Sequence, residues 1–193
     1  MKLYKSMKAG LKSAHGEIPW KVGEWYHQDG IIEACQNGFH ASKNIVDAIG
    51  FVNCEILCEV EVKGKLDLSE TDKVCYSDMK IVKAYVWDKP ASVKLAIFAA
   101  EHVIEIFEKE YPKDNRPREA IEAAKTWLKN PTDKNAEAAG AARAAGAARA
   151  AARAAEAAGA AARAAEAAGA AALKKCHNYI VEDIIPTLTE YHD

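Results

Sequence analysis

Residues 54–63 read Cys-Glu-Ile-Leu-Cys-Glu-Val-Glu-Val-Lys, and this stretch decides the fold of the first part of the chain. Its apolar residues alternate with charged ones, and Leu57 is the one break in the pattern. A period of two is typical of a strand that buries one face. The stretch therefore predicts a strand with one apolar face, which ends at Gly64.

Further strands are predicted on both sides of this one, because short apolar runs recur between turn residues. Residues 73–85 predict either one strand or a strand pair. The other candidate strands are residues 3–7 and 23–27. Together these segments predict that residues 1–87 form a small α+β domain with a mainly antiparallel sheet.

A turn and a short helix are expected between these strands. Asn37-Gly38 is a turn signal, because both residues tolerate a left-handed backbone. Ser42 is placed to cap a helix that runs to about Gly50, since its hydroxyl can accept from a free amide of the first turn. The sheet domain should thus contain one short helix.

Beyond Trp87 the apolar period changes from that of a strand to that of a helix. Asp88 can cap a first helix, Tyr111-Pro112 ends it, and Pro117 opens a second. The second helix should bury Ala120, Ile121, Ala124, Trp127 and Leu128. The apolar face predicted for the first helix comprises Leu95, Ala96, Ala99, Val103, Ile106 and Phe107.

Residues 136–172 consist entirely of Ala, Gly, Arg and Glu, and end in tandem copies of Arg-Ala-Ala-Glu-Ala-Ala-Gly-Ala-Ala-Ala that begin at Arg153 and Arg163. Alanine has the highest helix propensity. One straight helix from Asn135 to Tyr191 would be about 85 Å long at about 1.5 Å per residue, so a break near Gly159 is expected. The interpretation is an α+β protein whose residues 88–193 form an Ala-rich helical bundle.

Charge and cysteine content narrow the function classes. The 193 residues carry 26 Lys and Arg against 28 Asp and Glu, a net charge of −2, with no region of basic excess. Nucleic-acid binding is therefore not indicated, and charges interrupt every run long enough to cross a membrane. The five cysteines form no Cys-x-x-Cys pair, which is typical of reduced thiols in the cytoplasm.

Residues 97–128 contain Ala-Ala-Glu-His-Val, then Tyr-Pro-Lys-Asp-Asn-Arg-Pro-Arg, then Ala-Ile-Glu-Ala-Ala-Lys-Thr-Trp. With the Ala-rich stretch behind it, this region resembles the bacterial and phage family of putative immunity proteins, which is associated with polymorphic-toxin systems. The resemblance covers about residues 84–173. Gly-Glu-Trp-Tyr at 23–26 and Gly-Phe-His-Ala-Ser at 38–42 resemble a small phage domain of unknown function.

The two resemblances imply a non-catalytic phage-type immunity or inhibitor protein in the cytoplasm of a bacterial host. Such a protein neutralises a partner protein by direct binding. The partner could be a component of host defence, as it is for anti-CRISPR proteins. No cofactor and no metal are expected for this role.

Tryptophan, tyrosine and arginine dominate binding hot spots, and this preference selects the candidate partner-binding residues. The alternative is that the tryptophans belong to the core and that the polar linker only orients its neighbouring helices through contacts between Asp114 and Arg118. The candidates are Trp20, Trp25, Tyr26, Lys113, Asp114, Arg116 and Arg118.

Two other functions stay open. The Gly-Phe-His-Ala-Ser segment also resembles a strand of ADP-ribosyltransferase-like folds, which implies that His40 and Ser42 hold the nicotinamide ribose of NAD. Tyr26 would then stack on a ring, and Glu59 or Glu61 would orient the reacting hydroxyl, in an enzyme or an inactive relative. Alternatively His40 bonds a loop and Ser42 caps a helix. A third hypothesis is a homo-oligomer held together by the Ala-rich helices.

Overall fold

The computed structural model describes the backbone of residues 2–13, 18–50, 54–131 and 162–192. The chain is α+β, with an antiparallel sheet in its first part and helices in its later part. Its contacts define two compact units, Met1–Asp88 with Ile180–Asp193, and Lys89–Tyr179. Residues 180–193 thus lie with the sheet, although the prediction assigns them to the helical domain.

The sheet of the first unit contains the predicted strands and one further strand, β3 (Phe39–Ala41), that was not predicted. Their bounds are β1 (Leu3–Met7), β2 (Trp25–His27), β3 (Phe39–Ala41), β4 (Ile56–Asp67) and β5 (Val74–Val86). The described strands are antiparallel in the order β1-β4-β5-β2, and β3 also pairs with β5. The region predicted as one strand or a strand pair is the single strand β5.

Strand β4 does not end at Gly64, which corrects the prediction. The strand continues to Asp67, and its register against β5 shifts between Lys63 and Leu66. Gly64 has a φ of +84° within this irregularity. A glycine in the left-handed region lets a strand bulge and bend without losing its pairing, so Gly64 bends the strand instead of ending it.

Both faces of the first half of β4 are buried, so the alternation of the sequence describes only its second half. Leu57 is fully buried and Glu59 is 8% exposed. Ser6 lies opposite Leu57 in the register and donates its hydroxyl to the carbonyl of Ala48 at 2.6 Å. Ala48 belongs to the helix α1 (Ile45–Gly50), so this helix covers the face that the charge pattern predicts to be exposed.

Several short segments lie along the edge of β5 that faces away from β4. Strand β3 pairs with residues 74–76, and β2 pairs with residues 78–80. Glu190 bridges Tyr85 further along, where the amide of Tyr191 donates to the carbonyl of Ala84 at 2.8 Å. The end of the chain thereby satisfies backbone groups that β5 would otherwise leave open.

A bridge between Tyr4 and Ser42 joins β1 to the residue that follows β3. Two backbone hydrogen bonds of 2.9 and 2.8 Å make this connection, so β1, β4, β5 and β3 curl around one interior. Ser42 does not cap α1, contrary to the prediction, because the helix begins only at Ile45. The side chain of Asn44 accepts from the amide of Val46 at 3.0 Å instead.

His27 ties β2 to β5 and to the following loop. Its Nδ1 lies 3.0 Å from Asp78 Oδ1, and its Nε2 lies 3.2 Å from Asp29 Oδ1. The hydrogen bond with Asp78 raises the pKa of His27, and the bond with Asp29 contributes in the same direction. The protonated imidazole can donate to both carboxylates at once.

We expect His27 to stabilise the fold in acid and not in base. A raised pKa in the folded state means that the stabilisation is present below about pH 6.5 and is lost as the pH rises through the folded pKa. The difference in unfolding free energy between the native chain and His27→Asn should therefore shrink with rising pH. Urea denaturation across the pH range measures it, and an NMR titration that places the pKa of His27 at or below 6.5 would contradict it.

The second unit is built from helices. Their bounds are α2 (Lys89–Glu101), α3 (Ile104–Glu110), α4 (Arg116–Lys129) and α5 (Ala162–Tyr179). The single helix predicted after Asp88 is thus interrupted at His102 and Val103. Helix α2 contacts both α4 and α5, and the rings of Phe98 and Tyr179 stack at 4.1 Å. A π-helical turn (Ile180–Ile184) and a 3-10 turn (Ile185–Thr187) follow α5 and belong to the first unit.

The buried face of α2 and α3 differs from the predicted one, whereas that of α4 is as predicted. Ala96, Ala99 and Ile106 are exposed. Alanine is so frequent in this region that several faces fit the helical period equally well. The observed cluster contains Ile97, Ile104 and Ile121, with Val93, Ala100, Ala124 and Leu128 packed against it.

The Ala-rich stretch is helical from Ala162, in agreement with the prediction for that part. The expected break near Gly159 lies outside the described residues, and so does most of the stretch on which the bundle and the homo-oligomer hypotheses depend. Among the described helices, none combines the length and the apolar character that a membrane crossing requires.

Candidate functional site

Trp20 and Tyr26, two of the predicted partner-binding residues, pack against each other in the sheet unit. Trp20 is only 4% exposed, its ring lies 4.6 Å from that of Tyr26 and 5.0 Å from that of Phe39, and its indole donates to Ser13 Oγ at 2.9 Å. The Tyr26 hydroxyl donates to the carbonyl of Pro19 at 2.6 Å. The structure therefore places Trp20 in the core, with Tyr26 as its partly buried neighbour.

Trp25, in contrast, lies on the surface of the sheet. Its side chain is 41% exposed, and the amine of Lys63 lies 4.0 Å from its ring centroid. Lys80 approaches the same ring at 5.1 Å and pairs with Glu61 at 2.7 Å. An exposed aromatic ring with cations at its face can contact a partner through both apolar and charged groups.

Arg116, the first residue of α4, pairs with Asp114 of the polar linker between α3 and α4. Asp114 accepts from Nε and Nη2 of Arg116 at 2.8 and 2.6 Å, and this bidentate contact lowers the pKa of Asp114. The side chain of Arg116 is nevertheless 81% exposed. Lys113 is exposed beside it. Because Asp114 holds one edge of the Arg116 guanidinium, the group is already oriented for a partner.

Arg118 pairs with Glu108 and not with Asp114, which corrects the predicted contact between Asp114 and Arg118. Its Nε and Nη2 lie 2.7 and 2.6 Å from the two carboxylate oxygens of Glu108. This pair lowers the pKa of Glu108. Because Glu108 belongs to α3 and Arg118 to α4, the pair fixes the two helices on either side of the linker.

Two large apolar side chains are exposed just before this linker. Ile106 is 62% exposed and Tyr111 is 48% exposed, and the Tyr111 ring lies 5.0 Å from that of Phe107. We call the exposed side chains of Ile106, Tyr111, Lys113 and Arg116 the linker surface. It combines tyrosine and arginine, the residue types that most often carry binding energy.

A cleft of about 630 Å3 opens on the sheet unit beside β3. The backbone bridge between Tyr4 and Ser42 lies at its wall, because both residues line the cleft. Two of the residues predicted from the ADP-ribosyltransferase-like motif share it. The polar lining residues include Lys5, Cys35, Asn37, His40, Ser42 and Lys73.

His40 presents a neutral ring to this cleft. Its Nε2 accepts from the backbone amide of Cys35 at 2.9 Å, so the ring proton lies on Nδ1. Burial lowers the pKa of His40, and the nearby charges of Lys5 and Lys73 lower it further. Cys35 has a φ of +66°, a left-handed conformation that directs its amide to the ring.

The other residues of the ADP-ribosyltransferase-like set lie elsewhere. Tyr26, Glu59 and Glu61 are not among the residues that line the cleft. Glu59 pairs with Lys2 at 3.2 Å, and Glu61 pairs with Lys80. The structure therefore brings together His40 and Ser42 and no carboxylate from that set.

The described thiols are free, and most of them are shielded. Cys58 and Cys75 are buried, Cys54 and Cys176 are partly buried, and Cys35 is exposed. Burial raises the pKa of both Cys54 and Cys58 to about 12, so neither is a nucleophile near neutral pH. In the described part of the chain, no group of three His, Cys, Asp or Glu side chains is arranged to hold a metal ion.

Lys5 is the residue of the cleft that sequence reasoning missed. It lies opposite Cys58 in the register, between Leu3 and Met7, so the period of β1 directs its side chain to the core. A lysine between two apolar positions of a strand is a recognisable sequence signal, because placing an amine on the core side of a strand is costly unless the amine is hydrogen-bonded. Tyr111-Pro112 predicts the end of a helix but does not indicate that the Tyr111 side chain is exposed.

Comparisons with known families match the two halves of the chain separately. Residues 1–92 match the model of a domain of unknown function, DUF7666. Residues 88–184 match the model described as an Imm-5 like putative immunity protein. This confirms the arrangement predicted from the sequence. No curated protein and no solved structure matches the chain.

Proposed function

Because the chain belongs to the family of Imm-5 like putative immunity proteins over residues 88–184, we propose that it neutralises a partner protein by direct binding. The family match is the observation that carries the immunity role. The linker surface lies within the matched region, which is why we assign the contact to it. In this proposal the Ala-rich residues complete a helical bundle that supports the surface and contribute no chemistry.

The linker surface fits such a contact for physical reasons. Ile106 and Tyr111 supply apolar area that water now covers, so burying them under a partner is favourable. Arg116 has already lost part of its rotamer freedom to Asp114, which reduces the entropy that binding would cost. The surface therefore offers exposed apolar side chains and a charge that Asp114 orients.

The double variant Tyr111→Ala with Arg116→Ala tests the assignment. Truncating a hot spot costs about 2 kcal/mol of binding, so we expect the affinity for the partner to fall about 30-fold or more. Tagged native and variant chains are used to capture partners from the native bacterial host, and mass spectrometry identifies the proteins. Binding of the captured protein is then measured by titration.

A double variant on α4, Glu119→Ala with Lys129→Ala, is the matched control, because both side chains are exposed and lie outside the linker surface. It should capture the same protein with unchanged affinity. Equal binding by all three chains would remove the linker surface from the proposal. If no protein is enriched by the native chain, the immunity role itself fails.

The class of partner is decided by expression of the captured protein. If the captured protein is a toxin, its expression without the native chain should arrest growth of the host, and co-expression of the native chain should restore growth. If the captured protein is a host-defence component, the anti-CRISPR-like case, its expression should block phage infection, and co-expression of the native chain should allow infection again. The double variant should fail to protect in the first case and fail to restore infection in the second.

A second candidate function is an ADP-ribosyltransferase-like activity or its inactive remnant. The observation that favours it is that His40 and Ser42 line one cleft. NAD would be the cofactor, with its nicotinamide ribose beside these two side chains. Turnover of NAD by the full chain, lost in His40→Ala, is the expected result for an enzyme. Binding of NAD without turnover indicates an inactive relative, and an absence of both removes this candidate.

A further inference from the structure

The cleft beside β3 has an unbalanced charge. Two lysines, Lys5 and Lys73, are among its described lining residues, and no carboxylate is. Asp67 and Glu70 both act to raise the pKa of His40, and the oxygens of Asp67 accept from the backbone amides of Ala34 at 2.7 Å and Ser69 at 2.8 Å. None of the described lining residues is therefore a carboxylate that could neutralise Lys5, whereas Asp72 and Glu70 act on the charge of Lys73 from outside the lining.

The amine of Lys5 is only partly satisfied by the protein. It donates to the carbonyl of His40 at 3.0 Å, and the described residues provide no further acceptor for it. An ammonium has three N–H donors, so two are left over. The Lys5 side chain is half-buried, and desolvation lowers the pKa of its amine. Leaving donors of a charged group unmet away from water is costly.

Uncharged side chains complete the lining. Asn37 and Ser42 add polar atoms near the lysines, and Ile18, Phe39 and Ala41 add apolar wall. A cavity of a few hundred Å3 with an apolar wall and a small number of polar groups is typical of a site for a small molecule. The apolar wall favours an organic ligand over a bare inorganic ion.

We propose that this cleft binds a small organic anion, whose carboxylate or phosphate oxygens accept from the free N–H donors of Lys5. Lys73 stands at the same cleft and adds to its positive potential. The neutral ring of His40 and the hydroxyl of Ser42 contact the body of the ligand. The site lies in the sheet unit and does not depend on the proposed partner of the linker surface.

Lys5→Met tests the role of the amine, because methionine keeps much of the side-chain length and removes the donors. Lys8→Met is the matched control, since Lys8 is exposed and does not line the cleft. Calorimetric titration of the full chain uses inorganic phosphate, benzoate and adenosine monophosphate as probes in chloride buffer. The phosphate and benzoate arms separate the two classes of oxyanion.

We expect at least one probe to bind saturably, and its affinity to fall about tenfold or more in Lys5→Met and to stay unchanged in Lys8→Met. Equal affinity in Lys5→Met, or no saturable binding of any probe to the native chain, overturns the proposal. NMR titration of the native chain provides a test that needs no variant. The backbone amides of Lys5, His40 and Ser42 should shift with the bound probe, and shifts confined to another surface would also overturn it.

Discussion

Replacement of Trp20 by alanine is expected to lower the free energy of unfolding of the sheet unit by about 3–5 kcal/mol. The side chain is 4% exposed and packs between the rings of Tyr26 and Phe39. Its removal leaves a cavity that the surrounding strands cannot fill, and it also strips Ser13 of its hydrogen-bond partner. Hydrogen exchange of the β5 amides is the appropriate measurement, because it reports the stability of this unit by itself.

Trp25→Ala is the matched control for this prediction. The same residue type is removed, but this ring is 41% exposed and contacts flexible lysine side chains. We expect a loss of about 1 kcal/mol or less, as is usual for surface substitutions. Equal losses of unfolding free energy in the two variants would mean that the buried Trp20 side chain stabilises the sheet unit no more than the exposed Trp25 side chain does.

The pair of variants also separates two interpretations of the tryptophans. If Trp25→Ala weakens capture of the partner while the β5 amides remain protected, Trp25 belongs to the contact surface. A loss of capture in Trp20→Ala follows from local unfolding alone and says nothing about a direct contact. The surface role predicted for both residues therefore has to be tested on Trp25.

The sheet could be predicted from the sequence where alternation was clear, and less well where tertiary packing overrode it. The period of two in residues 54–63 predicts β4, but it also predicts one exposed face. Leu57 was the visible exception, and α1 covers that face near it. Gly64 was read as a strand end because glycine usually interrupts strands, although a bulge is the other common result.

The helical part shows a different limit of sequence reasoning. The punctuation by Tyr111-Pro112 and Pro117 predicts the ends of the helices, because proline acts on the local backbone. The buried face of α2 and α3 could not be selected, since alanine satisfies buried and exposed positions alike, whereas the larger Ile121 and Trp127 indicate the buried face of α4. The partner of Arg118 was missed for a related reason: its pairing with Glu108 depends on how two helices meet, which spacing along the chain does not encode.

The residues of the candidate cleft could be predicted from the sequence only in part. His40 and Ser42 could be singled out because they sit in a recognisable motif at a strand. Lys5 could have been found from the period of β1, which places it between Leu3 and Met7. Lys73 could not, because only the pairing of β3 with β5 brings the start of β5 to this wall.

Gly38→Ala is expected to destabilise the sheet unit by about 2–4 kcal/mol. A methyl group at this position would lie 2.5 Å from Cys75 Sγ, 3.0 Å from Ile32 Cγ2 and 3.2 Å from the carbonyl oxygen of Tyr76. Gly38 also has a φ of +126°, which an alanine rarely adopts. Hydrogen exchange of the β5 amides measures the effect, because Cys75 and Tyr76 belong to that strand.

Gly23→Ala separates the steric part of this cost from the backbone part. Gly23 also has a positive φ, of +88°, but a methyl group there would meet nothing within 4 Å. We expect this variant to lose about 1–2 kcal/mol, from backbone strain alone. If Gly38→Ala costs no more than Gly23→Ala, the close approach of β3 to β5 is not required. Because Gly38 immediately precedes β3, which carries His40, a larger cost at Gly38 would mean that this same close packing holds the wall of the cleft in place.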